Sequence, residues 1–490
     1  MSFLTYEFLL FFLPLTALLI AVVRKRSLQN AALAAMSVFF YACFGMAGLF
    51  FLLYSAAITY AFGRVGYHLT QTGRKTQGTR LYTAGILLNL LPLVLFKYAG
   101  FAAQNANRLL IRFGMTMPVP NLLLPVGLSF FIFQSSTYLF DLYREKIQPE
   151  RNPINYLLFV SFFPTISSGP IQRSTALLPQ IRERKRVSLT RVQNAALLFV
   201  WGALLKLVLA DRLKIFTDAI FSSYSQYGSI ELFAGASAYS VQIYADFLAY
   251  TCMATALASL FGFDLADNFR QPYLATSMAD FWHRWHISLT SWLTDYIYIP
   301  LGGSRKGQIR RYLNIALVFL ISGLWHGAAW NFVAWGALHA LFQIAGHMTR
   351  KARESLCDRL HINRSTQGYR CLQRVCIFLL VTVAWILFRM ESLRMAMDYI
   401  ARMITLFNPW ALTDGTMSAF GLTASDWNIC ILSTAALIGV SLAREKGLRL
   451  HTAFGAIPKA LLFAFLLCMV VIFGLYGGTY DASAFIYTGF

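Results

Sequence analysis

The residue of this chain best placed to do chemistry is a histidine inside an apolar run. His326 stands in Leu324-Trp325-His326-Gly327, near the middle of the run 313–347. A buried imidazole could take the proton of a hydroxyl as that hydroxyl attacks an acyl group. The plainer role is a structural histidine bonded to a backbone carbonyl. Glycines on either side favour chemistry, because a reacting group needs close approach by its substrate. His339, later in the same run, could line the same cavity, as could Trp325 and Asn331.

Upstream, the stretch Phe281 to Ser288 holds two more histidines. His283 and His286 are three apart, which on a helix gives one face. That spacing could hold a metal, but no third ligand follows at helical spacing and Asp280 falls on another face, so no metal is expected. Trp282, Trp285 and Trp292 read as aromatic anchors of a helix lying at a membrane interface. Tyr244 and Asp246 sit inside an apolar run. An intramembrane Asp is a site candidate by default, with pairing to a tyrosine or arginine as the plainer alternative. Asp295 precedes Gly302-Gly303-Ser304-Arg305-Lys306, a glycine turn followed by positive charge. That turn could hold phosphates of an acyl donor or be an ordinary basic loop, and it lacks the Walker pattern. No Ser–His–Asp set, GxSxG elbow or dinucleotide fingerprint is present.

The elements that position these residues are membrane helices. The chain has 490 residues, 57% hydrophobic and 13% charged, against roughly 25% charged in soluble domains. Its net charge of +21 sits in short loops between apolar runs. This is the positive-inside pattern, and it argues for a membrane face and lipid contact, not nucleic acid. The seven cysteines show no CxxC or metal spacing and read as core residues. Runs of about 20 apolar residues give spans at 3–23, 31–44, 48–67, 81–96, 122–143, 156–171, 192–213, 232–261, 313–347, 371–388, 428–442 and 460–476. The expected class is an all-α polytopic membrane protein. It forms a single integral domain over 1–490, with a core at about 122–347 and C-terminal helices over 371–476.

Loop charge makes two of these runs return to their starting side. Basic residues flank both 156–171 and 313–347. The first contains Pro164 and Ser167-Ser168-Gly169-Pro170, which end a helix; irregular backbone at membrane depth must be packed in protein or line a cavity. The second, about 35 residues long, reads as two short helices broken at Gly323–Gly327, with His326 at the tip. The N-terminus and the tail Asp481 to Phe490 then lie outside, with the first span retained. Leu393–Leu406 reads as an amphipathic interfacial helix.

Several segments together carry a family resemblance. They are Leu124-Pro125-Val126-Gly127-Leu128-Ser129-Phe130-Phe131, Ser168-Gly169-Pro170-Ile171, Tyr244-Ala245-Asp246-Phe247, Phe281 to Ser288, Asp295 to Gly303, and Leu324-Trp325-His326-Gly327 with Trp330. Each is weak alone, but in this order the chain resembles the membrane-bound O-acyltransferase family. The likeness is strongest to its bacterial branch of alginate and peptidoglycan O-acetylation subunits and the teichoic-acid D-alanylation protein. The resemblance implies a ring of about 10–12 helices with re-entrant segments around a central tunnel. It implies that His326 and His286 are the catalytic pair, with His283 less essential because relatives often carry Arg or Asn there. It further implies a bacterial cytoplasmic-membrane enzyme with no tightly bound cofactor. Such an enzyme takes an acyl group from a cytoplasmic thioester, acetyl-CoA above all, and delivers it to an extracytoplasmic polysaccharide, directly or through a periplasmic acetyltransferase partner. The rivals are a transporter or flippase, which inverted repeats or paired intramembrane carboxylates would favour, and a non-catalytic scaffold, which would tolerate loss of His326.

Overall fold

The computed structural model describes residues 1–183, 186–416, 420–448, 455–476 and 485. Among them every regular element is helical. Seven helices are long and apolar enough to cross a membrane: Met46–Gln71, Lys75–Phe113, Leu189–Ser222, Ser229–Leu260, Gln367–Arg389, Ala424–Glu445 and Ala456–Phe473. The protein is therefore a multi-pass membrane protein. The tail Asp481 to Phe490, apart from Phe485, and His451 lie outside the described residues.

The chain divides into two compact units, residues 1–199, 250–266 and 479–490, and residues 200–249 and 267–478. The first contains α1 (Glu7–Val22), α2 (Arg26–Ala42), α3 (Met46–Gln71), α4 (Lys75–Leu110) and α5 (Leu128–Tyr143). The expected span 122–143 begins helically only at Leu128, because Pro118, Pro120 and Pro125 precede it. Gly127 holds φ +73° against the carbonyl of Ile166, where a Cβ would collide. Asn89 is fully buried between α3 and α5. It accepts from Ser55 Oγ at 2.7 Å and donates to Ser135 and Ser136 Oγ at 3.0 Å, so its polar atoms are satisfied.

The helix break expected at Pro164 to Pro170 is present. Helix α6 (Pro153–Ser161) is capped by the Asn152 side chain, which accepts from Ile154 N. It stops at Phe162, and the chain stays irregular and buried until α7 (Ser174–Arg182). The freed backbone is met by side chains. Gln134 Nε2 donates to Phe159 O and its Oε1 accepts from Gln172 N; Ser37 Oγ accepts from Phe163 N. This is the condition under which irregular backbone survives away from water.

The second unit begins at residue 200 within α8 (Leu189–Leu204), which leads through a π-helical turn, Leu205–Ala210, into α9 (Asp211–Ser222), and it holds α10 (Ser229–Leu260) as far as residue 249. The short helices α11 (Met278–Arg284) and α12 (Ile287–Leu293) precede the hairpin of α13 (Gln308–His326) and α14 (Trp330–Met348). Then come α15 (Arg350–Arg359), α16 (Gln367–Arg389), α17 (Leu393–Thr405), α18 (Ala424–Glu445) and α19 (Ala456–Phe473). The expected amphipathic helix is α17, capped by Ser392.

The hairpin differs from expectation in where it breaks. The break is Gly327–Ala329, and Gly323 is helical. A Cβ on Gly323 would collide with the carbonyl of Phe332, and one on Gly336 with the carbonyl of Phe319. These glycines let two backbones touch, as small residues do between membrane helices. Each helix has 19 residues, about 28 Å at 1.5 Å per residue, so neither is short. Gly323→Val should cost about 1–3 kcal/mol by overpacking, read as a lower unfolding midpoint of the purified protein in detergent. Gly346→Ala, on the same hairpin with open space around it, should leave the midpoint unchanged.

Candidate active site

Helix α13 ends on His326, which is buried. Its ring sits in an aromatic box. Trp325 lies at 4.9 Å between centroids, Trp335 at 5.1 Å and Phe388 at 5.3 Å. The His286 ring is 6.5 Å away. Three elements thus supply the site: the hairpin tip, the end of α16, and the joint between α11 and α12.

That joint corrects the helical reading of His283 and His286. Helix α11 stops at Arg284, Trp285 is extended, and His286 adopts φ 44°, ψ 51° in the left-handed region. The two histidines therefore share no face: His283 is exposed and His286 is wholly buried. A left-handed non-glycine residue is strained, and such strain gathers at functional sites. Asn268 holds the strained ring. Its Oδ1 accepts from Ser288 Oγ at 2.8 Å and from Ser288 N at 3.4 Å, which identifies that atom as oxygen. His286 Nδ1, 3.0 Å from the same oxygen, must then be the donor. The lone pair of this neutral imidazole is left on Nε2. Burial pushes the His286 imidazole down to about 3, so the ring stays neutral across the physiological range.

The tryptophans are not interfacial anchors. Trp282, Trp285 and Trp292 are all buried. Trp285 packs on Phe281 at 5.6 Å and Trp385 at 5.0 Å, and Tyr244 packs on Trp285 at 6.0 Å. Trp282 Nε1 donates to His339 Nδ1 at 3.3 Å. Asn331, at the start of α14, donates to the carbonyls of Leu387 and Met390, tying the hairpin tip to the end of α16. Asp295, half-buried in the π-helical turn Thr294–Tyr298, and Arg305, exposed before α13, belong to the connection between α12 and α13. Neither is part of the box. At its edge, Glu445 and Asp280 hold the Arg284 guanidinium above its ordinary value and fix the end of α11.

Asp246 pairs with a lysine, a partner that sequence reading did not name. Lys206 Nζ stands 2.8 Å from Asp246 Oδ1 and 2.8 Å from Asp211 Oδ1, and all three are buried. The π-helical turn Leu205–Ala210 carries Lys206 to this position; such turns often mark functional places. The next residue of α10, Phe247, packs on His286 at 4.8 Å, so the ion cluster supports the helix that backs the site. Sequence reading missed Lys206 and Asp211, which lie in another apolar run, and Asn268, whose loop has no pattern. Trp335 could have been found, because Asn331, Trp335 and His339 recur every four residues. Among the described residues no group of His, Cys, Asp and Glu could hold a metal. None of the seven cysteines forms a disulfide.

The sequence model of the membrane-bound O-acyltransferase family matches residues 76–388, well over half of the chain and all of this site. The chain belongs to that family and is an acyltransferase. It is 36% identical over 84% of its length to the probable alginate O-acetylase AlgI of Azotobacter vinelandii, covering 80% of that protein. It is 33% identical over 76% of its length to the peptidoglycan O-acetyltransferase of Helicobacter pylori, covering 72%. It is 26% identical over 55% of its length to the teichoic acid D-alanyltransferase of Bacillus subtilis, covering 68%.

Lys206→Met would leave two buried carboxylates without their cation. Breaking such a cluster costs about 3–5 kcal/mol. The variant should therefore show a strongly reduced unfolding midpoint and yield. Adding Asp211→Asn and Asp246→Asn should restore most of both.

Proposed function

We propose that this protein moves an acetyl group from a cytoplasmic thioester, acetyl-CoA, to an extracytoplasmic polysaccharide at the bacterial inner membrane. A periplasmic acetyltransferase partner completes delivery, or the acceptor is reached directly. The observation that carries this reading is His326 at the tip of a helical hairpin, boxed by aromatic rings beside a second histidine with a fixed tautomer. The names of the relatives, alginate O-acetylase and peptidoglycan O-acetyltransferase, support an acetyl group and a polysaccharide acceptor.

In this reading His326 is the general base. It takes the proton as the acceptor oxygen attacks the thioester carbonyl, and it returns the proton to the leaving thiolate. The neutral His286, its Nδ1–H held by Asn268, orients the reacting groups through Nε2. The exposed cations Arg305, Lys306 and Arg310 at the start of α13 suit the phosphates of the donor. They lie one helix length from His326. The loops rich in Lys and Arg face the cytoplasm, and the N-terminus lies outside.

The test uses inside-out membrane vesicles from the source organism with labelled acetyl-CoA supplied to the exposed cytoplasmic face. Wild type should release thiol and place label on envelope polymer. His326→Ala should lower both by about 10²–10⁴-fold, the range of general-base catalysis, with folded protein unchanged by size exclusion. Undiminished transfer by His326→Ala would overturn the reading.

A further inference from the structure

Helix α14 presents two buried N–H groups with no hydrogen-bond partner, one of them on the ring of Trp335, which packs against His326. His339 is completely buried and Trp335 nearly so. An indole nitrogen can only donate, so the bond from Trp282 Nε1 makes His339 Nδ1 an acceptor. The hydrogen of the neutral His339 ring is therefore on Nε2, which has no partner. Trp335 Nε1–H has none either. The two residues are four apart, hence neighbours on one helix face, with ring centroids 4.7 Å apart. Trp335 also packs on His326 at 5.1 Å. Buried donors left unmade cost about 1–3 kcal/mol each. Two adjacent ones, one with its tautomer imposed by a third residue, offer a bound ligand a pair of donors.

We propose that Trp335 Nε1–H and His339 Nε2–H hold the carbonyl oxygen of the acyl group, forming the oxyanion site of this enzyme. The assignment rests on the acyl-transfer reading above. When the acceptor hydroxyl attacks, its oxygen bonds to the carbonyl carbon, its proton passes to His326, and the carbonyl electron pair moves onto oxygen. That negative charge meets two neutral donors already in place. On collapse the pair returns, the carbon–sulfur bond breaks, and the thiolate takes the proton from His326. Donors aimed at developing charge in a site shielded from water are the strongest single device in acyl transfer. Trp282 is a positioning residue: it acts through the tautomer of His339.

The experiment measures kcat and KM for acetyl-CoA in the same vesicles, per amount of folded protein. His339→Phe removes one donor and should lower kcat by about 10²-fold with KM little changed. Trp335→Phe should lower kcat in the same way. His339→Gln, which restores an N–H near Nε2, should recover most of the loss. Trp282→Phe, which frees His339 to take the other tautomer, should give an intermediate loss. If wild type is active, His326→Ala is inactive, and both Phe variants keep wild-type kcat, the oxyanion assignment falls while the acyl-transfer reading stands. If the variants lose only folded protein, with kcat per folded molecule unchanged, the two donors are structural and the assignment falls. If wild type neither releases thiol nor transfers label, the acyl-transfer reading fails and takes the assignment with it.

Discussion

The site depends on the backbone contact between α13 and α14. Gly323 and Gly336 each face a carbonyl of the opposite helix where a side chain would collide. In a lipid environment there is little hydrophobic force to press two helices together, so close van der Waals approach has to do that work. The contact brings the last residue of α13, His326, against the second turn of α14, where Trp335 stands. Asn331 then ties the tip to the end of α16, which contributes Phe388 and Trp385 to the box. A looser hairpin would separate His326 from every group that gives it chemical meaning.

Two imidazoles, one facing His326 and one packed on Trp335, carry fixed and opposite polarity. Asn268 holds the hydrogen of His286 on Nδ1 and so leaves a lone pair on Nε2. Trp282 occupies His339 Nδ1 and so leaves a hydrogen on Nε2. An imidazole alone can present either nitrogen either way, and at neutral pH it exchanges between the two forms. Here each choice is made by a neighbour on a different segment. The result is an accepting nitrogen near His326 on one side and a donating one behind Trp335 on the other. Ester formation asks for this asymmetry: the attacking hydroxyl needs a base, and the carbonyl oxygen needs a donor.

Much of this was legible in the sequence, and the failures have physical causes. The break after α6 was legible because Pro164 and Ser167 to Pro170 end a helix, and the hairpin of α13 and α14 because its run is too long for one span. The burial of His326 at a hairpin tip was legible because the run 313–347 is too long for one span and carries glycines near its middle. The helix through His283 and His286 was misread because nothing local announces a left-handed residue at 286; Asn268 and Ser288 impose it from outside. The tryptophans were assigned to the lipid boundary because sequence shows how amphipathic a ring is and not which way it points. Gly323 was read as a breaker because glycine serves both turns and close contacts. Lys206 escaped notice because its two carboxylate partners lie in different helices, one of them forty residues on.

Charge is excluded from the box and paired where it enters the same unit. Lys206 meets Asp211 and Asp246, and Arg284 meets Asp280 and Glu445. The side chains that face His326 are rings without net charge. In such surroundings a hydrogen bond to a developing charge is strengthened by the low polarity around it. The same surroundings make an unmet donor costly, so a ligand lacking a carbonyl at the right place would leave Trp335 and His339 unsatisfied. If the oxyanion proposal holds, selectivity for an acyl group and stabilisation of its transition state would have one physical origin: neutral donors fixed in an aromatic wall.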